Sequence, residues 1–432
     1  MEAGTFLQYK GTDMGKTIAE KILGKHSGRE TTAGEIVMAD LDFIMSHDGN
    51  RPLSIQVFRE MGGKKLFDPK KVALVIDHAP SSPTPVVANT HKLVRQFARE
   101  QGCILYEAGE GSCHQLMPER GHVLPGELVI GTDSHTCTYG ALNAFATGVG
   151  ASDAAAAMIS GKLWFKVPET IRFILKGRLP AGVYAKDLIL HLIGSVTADG
   201  ATYKAAEYLG DAISALSMDG RLTISNMAVE MGAKAGLMEV DEKTRAWLKG
   251  RTDRPFEPVV SDPDARFADV REYDVAKLTP QIALPHRVDN VVPVEEALGQ
   301  PIQQANIVAC TNSRLEDLEI AASILSGHRV HPGVRLYVVP ASKPIQLEAM
   351  RRGILPAIIE AGGVLGVPGC DACSGGSQFG VAADGDHVIT TANRNFRGRV
   401  ANPEAFLYLA SPATVAASAL EGKIADCRNY VR

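Results

Sequence analysis

Val72-Ala-Leu-Val-Ile-Asp77-His78 is a short apolar run, rich in β-branched residues, that stops on a carboxylate and an imidazole. The pattern recurs twice. Leu128-Val-Ile130 runs into Gly131-Thr-Asp133-Ser134-His135, and Ile307-Val-Ala309 runs into Cys310-Thr-Asn-Ser-Arg. Short continuous apolar runs bounded by polar or Gly-containing residues predict strands buried on both faces, as in a parallel sheet. Chemistry then belongs at their C-terminal ends. Between the runs, Thr84–Gln101, Leu315–Leu325 and Pro344–Ala361 carry apolar residues near helical spacing, as does Ala413–Glu421. Strands and helices alternating in this way predict an α/β architecture.

At 432 residues the chain is long enough for two to four domains with a core in each. After the small-residue stretch 141–161, Val167–Leu179 opens a new strand pair, with Ile171, Phe173 and Leu175 alternating as on a half-buried strand. The Pro- and Asp-rich stretch 250–285 has little periodicity and is expected to be a connector or surface excursion. These shifts divide the chain into 1–166, 167–285 and 286–432. The net charge of -4 leaves no basic excess to neutralise phosphates, which argues against nucleic acid as a partner. No apolar run is long enough to cross a bilayer, and no basic segment followed by an apolar one opens the chain. Seven cysteines, an odd and sparse count, suit free, catalytic or metal-bound thiols in a reducing compartment. The expectation is a soluble, cytoplasmic protein without a membrane partner.

Cys370 and Cys373 form a C-x-x-C inside Gly366-Val-Pro-Gly-Cys-Asp-Ala-Cys-Ser-Gly-Gly, a turn that can aim two thiolates at one metal centre. By itself this spacing leaves metal or cluster ligation, a redox pair and inert thiols all open. A zinc ribbon needs a second C-x-x-C, which the chain lacks. A thioredoxin-type pair belongs near an N-terminal strand. Cys310, at the end of its own apolar run, adds a third thiol. Three thiolates from two turns make an incomplete cage for a four-iron cluster, leaving one iron open to water or substrate. Cys103 and Cys427 read as incidental thiols, and Cys113 and Cys137 lack a paired spacing.

The remaining motifs carry proton-transfer groups. Asp77-His78, Gly111-Ser-Cys-His114-Gln115 and Asp133-Ser134-His135 each place a histidine at a predicted strand end or Gly turn. An Asp beside a His can fix the ring tautomer and raise its basicity, which suits proton delivery to a leaving hydroxyl. No G-x-S-x-G elbow surrounds Ser134, so the trio is not a serine hydrolase signature.

With these residues in place the chain resembles the aconitase superfamily, and within it the family of 3-isopropylmalate dehydratase large subunits and their homoaconitase-like relatives. The resemblance covers nearly the whole chain and rests on IDH at 76–78, GSCHQ at 111–115, GTDSHTCTYGAL at 131–142, ISNMAVEMGAKAG at 224–236, ACTNSRLEDL at 309–318, PGCDAC at 368–373 and TANRNFRGR at 391–399. It implies three aconitase-type α/β domains around a central cleft. It also implies a [4Fe-4S] cluster on Cys310, Cys370 and Cys373, with one iron lacking a protein ligand. Asp77 and His78 match the pair that protonates the departing hydroxyl, and His114, Asp133, His135 and Glu230 match the polar group beside the iron. Ser134, Arg394 and Arg399 match carboxylate-binding residues, with Arg51 in the place of a substrate-side loop. Asn226 and Asn393 match contacts to the cluster.

Two departures touch the cluster turns. Ala309 stands where relatives often carry Ser, and the C-x-x-C interior is Asp-Ala where Gly-Pro or Gly-x is commoner. The family's swivelling domain, which supplies a catalytic Ser base, has no room before Arg432, so it is expected on a separate small subunit in a heterodimer or heterotetramer. The implied reaction is removal and re-addition of water on a hydroxy di- or tricarboxylic acid, as in the exchange of 2- and 3-isopropylmalate in leucine biosynthesis. Homoaconitase, a dimethylmalate- or citraconate-type hydratase, a cluster-sensing RNA-binding protein and zinc in the three-Cys site are the competing readings.

Overall fold

Val72–Val75 lies within a five-stranded, wholly parallel sheet. The strand order is Ile104–Tyr106, Val72–Val75, Phe43–His47, Leu128–Gly131, Phe145–Gly148. Both faces are covered. Ile44, Val72, Leu74, Leu128 and Ile130 pack into one core with Ile18, Ile22 and Phe97, while Phe43, Met45, Ala73, Val75 and Val129 pack into another with Leu116 and Met117. Successive side chains point to opposite faces, so burying both faces favours an apolar residue at most positions. The helix Pro85–Gln101 that covers this sheet starts where Thr84 accepts from the Val87 N–H, with Pro at its first position, and stops at Gly102 in the left-handed region. The computed structural model describes residues 15–50, 52–373, 379–400 and 402–431. Arg51, expected on the substrate side, lies outside them.

The second sheet is also parallel, in the order Ala235–Met238, Ala205–Leu209, Thr170–Lys176, Asp269–Asp274. Ile171, Phe173 and Leu175 are buried on Thr170–Lys176, as their alternation predicts. The strand Asp269–Asp274 corrects the reading of 250–285 as a connector. It is an edge strand, none of whose residues is fully buried, held in register against Thr170–Lys176. Its ladder holds it there, with only Tyr273 partly buried against the core beside Phe173, so it carries little apolar signal.

The third sheet has seven strands, in the order Val291–Pro293, Gln281–Ala283, Phe406–Leu409, His387–Thr390, Gln304–Ile307, Arg335–Val338, Gly363–Leu365. It is antiparallel over the first two pairings and parallel thereafter. Gln281–Ala283, on the N-terminal side of the division at 285, hydrogen-bonds into this sheet. Two local expectations shift. The strand expected at 307–309 is Gln304–Ile307, because the chain leaves the ladder before Ala309, whose φ is 75°. The helix expected over 344–361 is two helices, Lys343–Arg351 and Ile354–Glu360, broken where Gly353 takes a φ of 74°. A two-stranded antiparallel ribbon, Ile36–Asp40 with Lys162–Lys166, completes the sheets among the described residues. Among the described residues no helix is long and apolar enough to cross a membrane.

Candidate active site

Three neighbouring strands of the first sheet end in charged side chains. Phe43–His47 ends at His47-Asp48, Val72–Val75 leads to Asp77-His78, and Leu128–Gly131 leads to Asp133-Ser134-His135. Asp77 is completely buried. Its Oδ1 accepts from His78 Nδ1 at 2.7 Å, and its Oδ2 accepts from the Cys113 N–H at 2.6 Å. Asp48 sits behind the pair. It accepts from the backbone N–H groups of Asp77 and His78 at 3.0 and 2.9 Å and from His91 Nε2 at 3.0 Å. Burial alone would raise the Asp48 pKa, but the His91 hydrogen bond, the His78 charge and these N–H donors hold it well below the usual carboxylate range. Burial also works against a charged His78, yet the Asp77 and Asp133 carboxylates raise it well above the ordinary histidine value.

Asp133 is the hub of the site. His114 Nε2 lies 2.8 Å and His135 Nδ1 3.3 Å from its Oδ1, while His78 Nε2 lies 3.6 Å from its Oδ2. Against the effect of burial, the charge and hydrogen bond of His114 and the bonds to His135 and His78 keep Asp133 well below the ordinary carboxylate range. The other ring nitrogen of His135 reaches Glu230 at 2.6 Å. Glu230 also accepts from Arg394 Nε at 2.7 Å, and Arg394 Nη2 donates to Ser134 at 2.9 Å. Glu230 comes from the short 3₁₀ turn Met227–Met231, directly after the helix Met218–Asn226, so the network joins residues of all three large sheets' connections.

The thiols converge from the third sheet. Cys310, Cys370 and Cys373 are all buried. Asn226 Nδ2 donates to Cys310 Sγ at 3.3 Å, Arg399 Nη2 donates to Cys373 Sγ at 3.5 Å, and Asn393 Oδ1 lies 3.4 Å from Cys373 Sγ. Asn393 Nδ2 donates to Asn226 Oδ1 at 3.2 Å, which links the two cysteine turns. A hydrogen bond couples Cys370 to Cys373. It raises Cys370 above the ordinary thiol value and, with the Arg399 charge, holds Cys373 below it. Cys310 is pushed up to about 12 by burial and then by the Cys373 charge. The Cys370 N–H donates to the Asp77 carbonyl at 2.7 Å, tying the cysteine turn to the acid–base pair. Gly369 allows that approach, since a Cβ there would lie 2.7 Å from the same oxygen. Ala309 and Ala372 both hold positive φ, 75° and 60°, beside these cysteines. Non-Gly residues cost about 1–3 kcal/mol in that region, and such strain gathers at functional sites.

The structure thus brings together Asp77, His78, His114, Asp133, Ser134, His135, Asn226, Glu230, Cys310, Cys370, Cys373, Asn393, Arg394 and Arg399. Sequence reasoning missed His47 and Asp48, although Phe43–His47 ends in the same way as Val72–Val75. Their signal was present in Ser46-His-Asp, where the adjoining apolar run is interrupted by Ser46. Arg314 had no readable signal. It is fully buried and donates to the Thr311 carbonyl at 2.7 Å and to Gln115 Oε1 at 2.9 Å, fastening the turn that carries Cys310.

The comparisons with known proteins concern the whole chain. The chain belongs to the aconitase family, whose model (aconitate hydratase) matches residues 20–306 and 296–422. Among its relatives are the 3-isopropylmalate dehydratase large subunit 1 of Methanopyrus kandleri, 48% identical over 97% of this chain and 100% of that protein, and its namesake from Thermotoga maritima, 49% identical over 97% and 100%. A probable methanogen homoaconitase large subunit from Methanosarcina mazei is 50% identical over 91% of this chain and 100% of its own. The crystal structure of Thermococcus kodakaraensis aconitase X in its holo-form has the same fold, with a TM-score of 0.51, 12% identity and 89% of each chain covered.

Proposed function

We propose that the chain is the large subunit of a 3-isopropylmalate dehydratase, a hydro-lyase that exchanges 2- and 3-isopropylmalate by loss and re-addition of water. In this reading Cys310, Cys370 and Cys373 hold a [4Fe-4S] cluster and a separate small subunit completes the site. The observation that carries it is the junction of the Asp77–His78 pair with the Cys370 turn through the Asp77 carbonyl. The donor set fits the cluster. Of the three buried thiols, Cys310 accepts from an amide and Cys373 from a guanidinium, and Arg399 Nε is buried without a hydrogen-bond partner among the described residues. Such donors stabilise thiolate sulfur and orient it.

When bound, the cluster supplies Lewis acidity that eases cleavage of the C–O bond. The chain's own residues do the rest. Asp77 holds the Nδ1 proton of His78, so Nε2 is the atom that delivers a proton to the departing hydroxyl. Asp133 keeps His114, His135 and His78 gathered around that point. Arg394, already oriented by Glu230 and Ser134, presents a fork to a substrate carboxylate. Homoaconitase is the second reading, favoured by the 50% identical Methanosarcina mazei relative.

The anaerobically reconstituted large and small subunits, assayed together on 2- and 3-isopropylmalate and on homocitrate, test the proposal. The highest kcat/KM is expected on the isopropylmalates. A preference for homocitrate would overturn the substrate assignment, and no turnover of either would overturn the reaction. Gly49 adds a local check, because a Cβ there would lie 2.7 Å from the His78 ring carbons and 2.9 Å from His47 Nδ1. Asp77 prevents the ring from yielding freely. Gly49→Ala is therefore expected to lower kcat on the order of 10²-fold, the scale of an ångström-size misplacement, with little change in melting temperature.

A further inference from the structure

Lys186 is completely buried, and among the described residues it forms no ion pair. Lysine is almost never found so buried unless paired, because its charge is costly to desolvate. It lies in the first turn of the helix Ala185–Val196, and its Nζ donates to the carbonyls of Thr391 and Ala392 at 2.8 and 2.7 Å. Those two carbonyls belong to the turn after the strand His387–Thr390, directly before Asn393 and Arg394. No other donor among the described residues reaches either of them. The same turn is fastened on its other side, where Thr391 Oγ1 accepts from the Val308 N–H at 2.8 Å, two residues before Cys310.

We propose that Lys186 is a positioning residue of this site: its ammonium grips the Thr391 and Ala392 carbonyls and so aims Asn393 at Cys373 and Arg394 at Ser134 and Glu230. A methionine would fill the same space without the desolvation penalty, so packing alone does not account for a lysine. Removing the ammonium leaves two buried carbonyls unsatisfied in the one turn that carries both a thiol contact and a carboxylate-binding guanidinium. Burial pushes Lys186 down to about 7, while the nearby charges of Cys373, Asp317 and Glu230 act in the opposite direction. The inference rests on the proposed function for what Arg394 binds, but not for how the turn is held.

The test compares wild type with Lys186→Met in two ways. Amide hydrogen exchange is followed in the iron-free chain, and KM and kcat are measured in the reconstituted two-subunit assembly. Faster exchange is expected across residues 391–396, with wild-type protection of Val72–Val75. KM for 3-isopropylmalate should rise about 10–100-fold, the usual scale for a residue that orients a site from behind, with iron content unchanged. Wild-type exchange at 391–396 would overturn the proposal, as would faster exchange throughout the chain with KM unchanged. If Lys186→Met does not fold, Lys186→Gln, whose amide can donate to one carbonyl, takes its place, and the same results in exchange and KM support or overturn the proposal. A wild-type assembly that fails to turn over 3-isopropylmalate counts against the proposed function, and the exchange comparison still decides the role of Lys186.

Discussion

Asp77→Asn is expected to lower kcat about 10²–10⁴-fold, the range for losing a positioned general acid, with little change in KM. Asp77 accepts on both oxygens, from His78 Nδ1 and from the Cys113 N–H. An asparagine must turn its NH₂ toward one of them. Facing His78, it would favour the tautomer with the proton on Nε2 only while the ring is neutral, and it would remove the charge that keeps the ring protonated. Facing Cys113, it would set two donors against each other in a fully buried place. The pH dependence gives the sign. In the proposed role His78 acts in its protonated form, and the Asp77 and Asp133 carboxylates raise its pKa above the ordinary 6.5 against the effect of burial, so activity is expected to persist as pH rises past neutrality and to fall only through the raised value. In Asp77→Asn the alkaline limb of kcat should move down toward the ordinary histidine range. An unmoved limb, with kcat preserved, would remove His78 from the role of acid.

Cys373→Ser should have an effect at least as large, through a different failure. Cys373 is buried and its Sγ accepts from Arg399 Nη2 at 3.5 Å, so a neighbouring positive charge favours its thiolate form. A serine hydroxyl offers no comparable soft donor. After anaerobic reconstitution, the variant is expected to lack both the visible iron–sulfur absorbance and the content of about four irons per chain expected of the wild type, and to show only background turnover. Cys137→Ser is the control. That thiol is buried and donates to the Asn226 carbonyl at 3.3 Å, so the variant should keep its iron. Wild-type iron and turnover in Cys373→Ser would show that the three thiols do not form the cage.

Strands covered on both faces are easy to read because most of their residues must be apolar, and that is why Val72–Ile76 and Leu128–Ile130 stand out along the chain. Asp269–Asp274 is invisible for the converse reason, since an edge strand held by its ladder needs no apolar residue. The split at Gly353 is hidden because both helices keep apolar residues at compatible spacing across it. Most of the candidate site is legible because its residues sit at strand ends, in short motifs where chain neighbours are also neighbours in space. Asp77-His78 and the C-x-x-C are of this kind.

The alternation of buried strands and helices, the neighbouring Asp77 and His78, and three thiols at two turns can all be read directly along the chain. It took the folded chain to show that Asp133 gathers three histidines, that the Cys370 N–H meets the Asp77 carbonyl, that Lys186 grips the Thr391 and Ala392 carbonyls, and that Arg314 fastens the turn carrying Cys310. Separation along the chain hides these contacts. A hydrogen bond between residues 186 and 391 leaves no periodicity behind, and a buried cation looks like any surface lysine until the groups that surround it are known.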